Sequence, residues 1–205
     1  MINKIKKAAA LFLASVFMLS CVACGNNKAD NTSASTSAQG GTVMDAYGNS
    51  TELLSMIWNA FPAEDKFPVN GGDESYMSMD GPAPYSIADA EVLDNVLGFP
   101  AAQIDKIDDA ASFMNAMNQN TFTCAAYRFR SPDDMEAGIA ALKKNILARR
   151  WICGFPDSLL IISVPRNYVI AVWGIDEGTG TVTKFKEAAK NAVNGAQVIV
   201  DEPII

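Results

Sequence analysis

Histidine is absent from all 205 residues. Its absence removes every Ser-His-Asp and Cys-His constellation, the imidazole zinc sites, and the usual general base near neutral pH. Basic side chains are scarce too, 16 against 23 acidic, giving a formal net charge of −7. A surface of that sign repels phosphate backbones and anionic head groups, which argues against nucleic acid as a partner. Aromatics make up only 9% of the chain, an ordinary globular share. No internal repeat, coiled coil or second membrane-spanning run follows the first 24 residues. A folded part of about 150 residues buries roughly two thirds of its unfolded surface, so it needs no metal or disulfide staple. No cofactor or metal motif is present.

What is present begins with "MINKIKKAAALFLASVFMLSCVACG". Lys4, Lys6 and Lys7 precede a 12-residue run, Ala8 to Leu19, in which Ser15 is the one polar residue. A permanent spanning helix needs about 20 apolar residues, so this length fits the core of a signal peptide. Small residues, a cysteine, a glycine and a polar stretch follow. This arrangement resembles a bacterial lipoprotein signal peptide, with an aliphatic residue and two smaller ones ahead of a lipid-modified cysteine. Two registers fit. "CVAC" places the modification on Cys24 with cleavage after Ala23, and "MLSC" places it on Cys21. Ala23 immediately before Cys24 and Gly25 after it favour Cys24. Removal of residues 1–23 leaves 13 basic and 23 acidic side chains, a net −10. The resemblance implies diacylglycerol on Cys24 and further acylation, and two chains anchor stably where one does not.

Residues 24–42 then read as a disordered tether. "GNNKADNTSASTSAQGGT" has no aromatic residue, Leu, Ile or Val, too little apolar area to offset the entropy of ordering. A single α+β domain is expected over residues 43–205. "NSTELLSMIWNAF" predicts a helix capped by Asn49 with Glu52 three residues on, presenting Leu53, Leu54, Ile57, Ala60 and Phe61. Residues 63–86 read as a long Gly, Pro, Asp and Ser loop, with a strand near Ser75–Met79. A second short helix is expected after a Ser86 cap, with Val92, Leu93, Val96 and Leu97 on one side and Gly98 and Pro100 as stop signals. Residues 102–120 are ambiguous and lean to a strand.

From Thr121 onward the pattern sharpens. "TFTCAAYRFR" alternates as a strand. "SPDDMEAGIAALKKNILARR" is a helix with a Ser131 cap, Pro132 at its first position and a stripe of Met135, Ile139, Leu142 and Ile146. "SLLIISV" and "YVIAVWG" flank a turn at Pro165–Asn167. "TVTKFKEAAKNAVNG" predicts a helix presenting Val182, Phe185, Ala189 and Val193, and "AQVIV" a last strand. The order β-α-β-β-α-β predicts a ferredoxin-like antiparallel sheet with its helices on one face.

The lipobox, the polar stretch, "LGFP" ahead of a strand and "NYVIAVWG" in the closing strand-helix-hairpin-helix order together resemble small, functionally uncharacterised lipoproteins of Gram-positive bacteria. Some of these are labelled bacteriocin-transport accessory proteins. The resemblance implies attachment to the outer face of the cytoplasmic membrane and a partner in the envelope or a transporter, and it assigns no catalytic residue.

Four candidate sites remain. Cys124 and Cys153 are a candidate disulfide in an exported protein. Alternatively Cys124 packs as a small hydrophobe, and Cys153 is a nucleophile or redox thiol activated by Arg149 or Arg150. "RRWICGFPD" offers Arg149, Arg150, Trp151 and Phe155 as a partner patch, since Arg and Trp are enriched at interface hot spots. Its competitor has Trp151 and Phe155 closing the core beneath solvated arginines. The loop 63–86 carries Asp73, Glu74 and Asp80, oxygen ligands of the type calcium takes, without the spacing of an EF-hand loop. It is also the place for a small-molecule site. "GIDEGTGTVTK" has glycines before a helix but lacks the phosphate-loop Lys-Ser/Thr pair, so a helix-start turn explains it better. The expected function is an anchored, non-enzymatic binding or accessory module, with an exported thiol enzyme or a ligand-binding module as alternatives.

Overall fold

A computed structural model describes residues 47–205. Cys21, Ala23, Cys24 and the stretch to residue 46 lie outside the described residues, as do the expectations that fall on them. Among the described residues no helix is long and apolar enough to cross a membrane.

The chain starts with α1 (Ser50–Ala60), whose cap follows the sequence. Asn49 Oδ1 accepts the Glu52 N–H at 2.8 Å, and Glu52 reaches back to the Gly48 N–H at 2.6 Å, a capping-box geometry shifted by one residue. Leu53, Leu54 and Ile57 are fully buried, with Phe61 beside them, whereas Ala60 faces solvent. Two short strands, β1 (Val69–Gly71) and β2 (Ala83–Pro84), bracket the long loop. The strand expected at Ser75–Met79 is reduced to one bridge from Ser78 to Gly71. Helix α2 (Ala90–Leu97) is capped by Asp89 rather than Ser86, and it ends on Gly98 at φ 74°, a left-handed position suited to glycine. The ambiguous stretch resolves into a helical turn at Ala101–Lys106 and then β3 (Ile107–Asn115).

Strand β4 (Phe122–Phe129), helix α3 (Met135–Leu147), the hairpin β5 (Ser158–Val164) and β6 (Tyr168–Gly174), helix α4 (Thr181–Ala192) and β7 (Gln197–Pro203) complete the chain. The protein is α+β, with seven strands in one antiparallel sheet of order β1-β3-β4-β6-β5-β7; β2 also pairs with β3.

The ferredoxin-like order does not hold. In that arrangement the last strand would lie beside β4, but β3 already occupies that edge, and β7 pairs with β5 instead. The helices therefore do not share a face. The connections β4-α3-β5 and β6-α4-β7 step the same way across the sheet from antiparallel strands, and right-handed crossovers then place α3 and α4 on opposite sides. Two cores result. One joins α1 and α4 to Phe122, Cys124, Ala126, Leu160, Ile162, Ile170 and Val172. The other joins α2 and α3 to Ala125, Tyr127, Phe129, Leu159, Ile161, Val169, Ala171 and Trp173. The central strands are buried on both faces, which is why β5 and β6 read as unbroken apolar runs.

Candidate functional site

The β3–β4 turn and the α3–β5 loop meet at one end of the sheet. Phe122 at the start of β4 pairs with Gly174, and Gly174 pairs with Ser158. Here the sequence-predicted patch separates into two parts. Arg149 is structural. Its guanidinium lies 5.3 Å from the ring centres of both Trp151 and Trp173, and donates to the Val96 carbonyl at 3.3 Å and to the Asn95 carbonyl. Burial pulls its pKa below the ordinary value, partly offset by Tyr127 and Asp94. Trp151 packs against the α2–α3 core, so it closes that core as the competing account required. Phe155 does not: it is 73% exposed. Arg150 is also exposed.

Cys124 and Cys153 are both free, and the candidate disulfide is not formed. Cys124 sits mid-strand in the α1–α4 core, where burial pushes its thiol well above the ordinary range. Cys153 stands on the exposed loop at φ 61°. The loop is clamped from below. Asn118 Nδ2 donates to the Cys153 carbonyl at 2.6 Å, and Asn120 Nδ2 to the carbonyls of Ile152 at 2.8 Å and Gly154 at 3.3 Å. Arg149, offered as an activator of Cys153, is turned instead onto the tryptophans and the end of α2.

The long loop forms a concave feature. A cleft of about 550 Å³ opens between residues 70–77, Tyr85, α2 and β3, with Met77, Val92, Val96 and Met114 as its apolar walls. That volume lies within the range of small-ligand pockets. Of the four residues expected on one side of α2, Leu93 and Leu97 are buried in the core, while Val92 and Val96 line this cleft. Met77 is 68% exposed, and methionine on a binding surface adapts to varied apolar shapes. The backbone is fixed tightly: Gly72 has φ 77°, and a Cβ on Gly71 would meet the Gly81 and Ala83 main chain.

Asp73, singled out as a calcium ligand, organises this loop. One carboxylate oxygen accepts the Ser75 and Tyr76 N–H groups at 2.9 and 3.2 Å, the other the Ser86 N–H at 2.7 Å. Among the described residues no three His, Cys, Asp or Glu side chains cluster so as to hold a metal; Glu74 and Asp80 thus form no ligand set with Asp73. Tyr85 has its pKa raised by burial and by Asp73, Asp89 and Glu74. At the start of α4 a carboxylate from the chain itself fills the anion position. Asp176 accepts from the Thr183 N–H at 3.0 Å and its hydroxyl at 2.6 Å, which makes the glycine-rich stretch a helix-start turn.

Sequence reasoning named the loop but missed its apolar walls. The signal was "YMSMDG", two methionines inside a polar stretch too long to be a simple connection. It also missed Asn118 and Asn120, whose role depends on a contact with residues more than thirty positions away. The chain matches no family model, no curated protein and no solved structure.

Proposed function

We propose that this chain is a lipid-anchored, non-enzymatic binding module on the outer face of the cytoplasmic membrane, attached through Cys24. Its cleft receives an apolar side chain from a partner polypeptide of the envelope or of a transporter. The observation that carries the reading is the cleft itself: methionine, valine and tyrosine walls over a rigid glycine floor. Its Asp73 carboxylate is already engaged by three N–H groups. Such a lining suits burial of apolar surface. The lipobox and the sequence after it supply the anchoring half of the reading.

The test is site-specific photocross-linking in intact cells. A benzophenone amino acid at Met77 is expected to capture a discrete partner, the same probe at exposed Lys144 on α3 is not, and Val92→Lys is expected to abolish the Met77 adduct. Equal labelling from both positions, or an adduct unaffected by Val92→Lys, would overturn the reading.

A further inference from the structure

We propose that the loop tip Arg150–Phe155, with Met117 beside it, is a membrane-docking tip that inserts Ile152, Phe155 and Met117 into the lipid interface. The three side chains are 76%, 73% and 86% exposed, and they stand on adjoining turns joined by the Asn118 and Asn120 clamps. Large apolar groups held outward on ordered turns require an explanation that scattered surface hydrophobes do not.

The clamps point to lipid in particular. Backbone carbonyls carried into an apolar medium must already be satisfied within the protein. The carbonyls of Ile152, Cys153 and Gly154 each accept from Asn118 or Asn120. The turn that allows this needs Gly154 at φ 138°, where a Cβ would press on Asn118 and Asn120.

The local charge is permissive although the fold is acidic. Residues 47–205 carry 12 basic and 21 acidic side chains, yet the segments 110–132 and 137–156 contain no acidic residue. Three carboxylates at this end are engaged within the protein: Asp157 accepts the Asp176 and Glu177 N–H groups, Asp176 caps α4, and Glu202 pairs with Lys143; Glu177 is exposed. Arg150 is placed to meet lipid phosphate.

Reach is compatible. Tyr47, where the described chain begins, bonds to Pro165 and packs on Tyr168, at the end of the sheet opposite the tip. An eight-residue strand spans roughly 26 Å. The 22 residues between Cys24 and Tyr47 extend at most about 80 Å, so an anchored chain can turn this far end to the bilayer. This clause alone rests on the anchoring reading.

Cys153 gives the assay a native attachment point, since Cys124 is buried. The mature protein carrying an environment-sensitive nitrobenzoxadiazole on Cys153, with Cys153→Ala as the labelling control, is reconstituted into phosphatidylcholine vesicles with and without phosphatidylglycerol. Flotation reads the anchor; emission and quenching by acyl-chain nitroxide lipids read the tip. The tip is expected to give blue-shifted, quenched emission, and Ile152→Ser and Phe155→Ser are each expected to lower the docked-to-free ratio about tenfold. Water-like emission at saturating lipid overturns the proposal, whether or not the protein floats. So does a blue shift that depends on protein concentration without lipid, which would mean self-association, or one unchanged in the Ile152→Ser/Phe155→Ser double variant.

Discussion

Tyr127 shows how a single side chain ties a helix to the sheet. It is fully buried in β4, donates to the Leu97 carbonyl at the end of α2 at 2.7 Å, and packs against Phe99 with ring centres 4.8 Å apart and the planes tilted by 43°. Burial raises its pKa well above the ordinary phenol value, and the Cys124 thiol is raised in the same way. For a raised acid the folded state holds the proton more tightly than the unfolded chain. Stability is therefore complete below the unfolded pKa values, about 8.5 for thiol and 10 for phenol, and is lost as pH rises beyond them. The melting temperature is expected to be flat through neutral pH with respect to these groups and to fall above pH ~9. Tyr127→Phe removes one titrating group and leaves the Leu97 carbonyl unpaired. It should lower stability by about 1–2 kcal/mol at neutral pH and flatten the alkaline decline; a series of melts across pH checks both. At this scale the sequence was informative about polarity and silent about pairing. Cys124 read correctly as a small packed hydrophobe, but nothing local to Phe155 distinguished a core plug from an exposed tip.

Among the elements, period and cap coincided in α1; Ser131 caps a helical turn at Pro132–Asp134 from which α3 continues, and α4 was legible from its period alone, since no side chain caps it. Helix α2 shows how a cap can be misplaced. Ser86 and Asp89 are both good cap residues, and only the structure shows Asp89 accepting the Glu91 and Val92 N–H groups at 3.1 and 3.0 Å while Ser86 caps a bend at Ala88. Asp89→Ala is expected to cost about 1 kcal/mol in denaturant unfolding, and Ser86→Ala less than about 0.5. Equal effects would return the cap to Ser86. The order of elements predicted the antiparallel sheet but not its edges. Strand order depends on which strand takes the open edge of β4, and the ambiguous stretch 107–115 takes it. The continuous apolar runs of β5 and β6 carried the missing information, since strands covered on both faces lose their alternation.

At the scale of the whole molecule, the proposed anchor through Cys24 and the proposed membrane-docking tip accompany a cleft that is part of the fold. The cleft and the tip are linked through Arg149, which donates to the Val96 carbonyl at the cleft wall and stacks on Trp151 beneath the tip. Surface ion pairs such as Lys143–Glu202 and Lys184–Asp65 are exposed enough that each contributes little; the two apolar cores hold the fold. The cleft was legible only as a long loop, because its walls come from three elements brought together by β3. The proposed anchor rests entirely on a local motif of the sequence, residues 4–25. The measurement that tests the central claim most directly is metabolic labelling with an alkyne fatty acid in cells expressing the full chain. The account predicts that the label enters the native protein and Cys21→Ala alike and is lost in Cys24→Ala. Label retained in Cys24→Ala, or no label in the native chain, would contradict it.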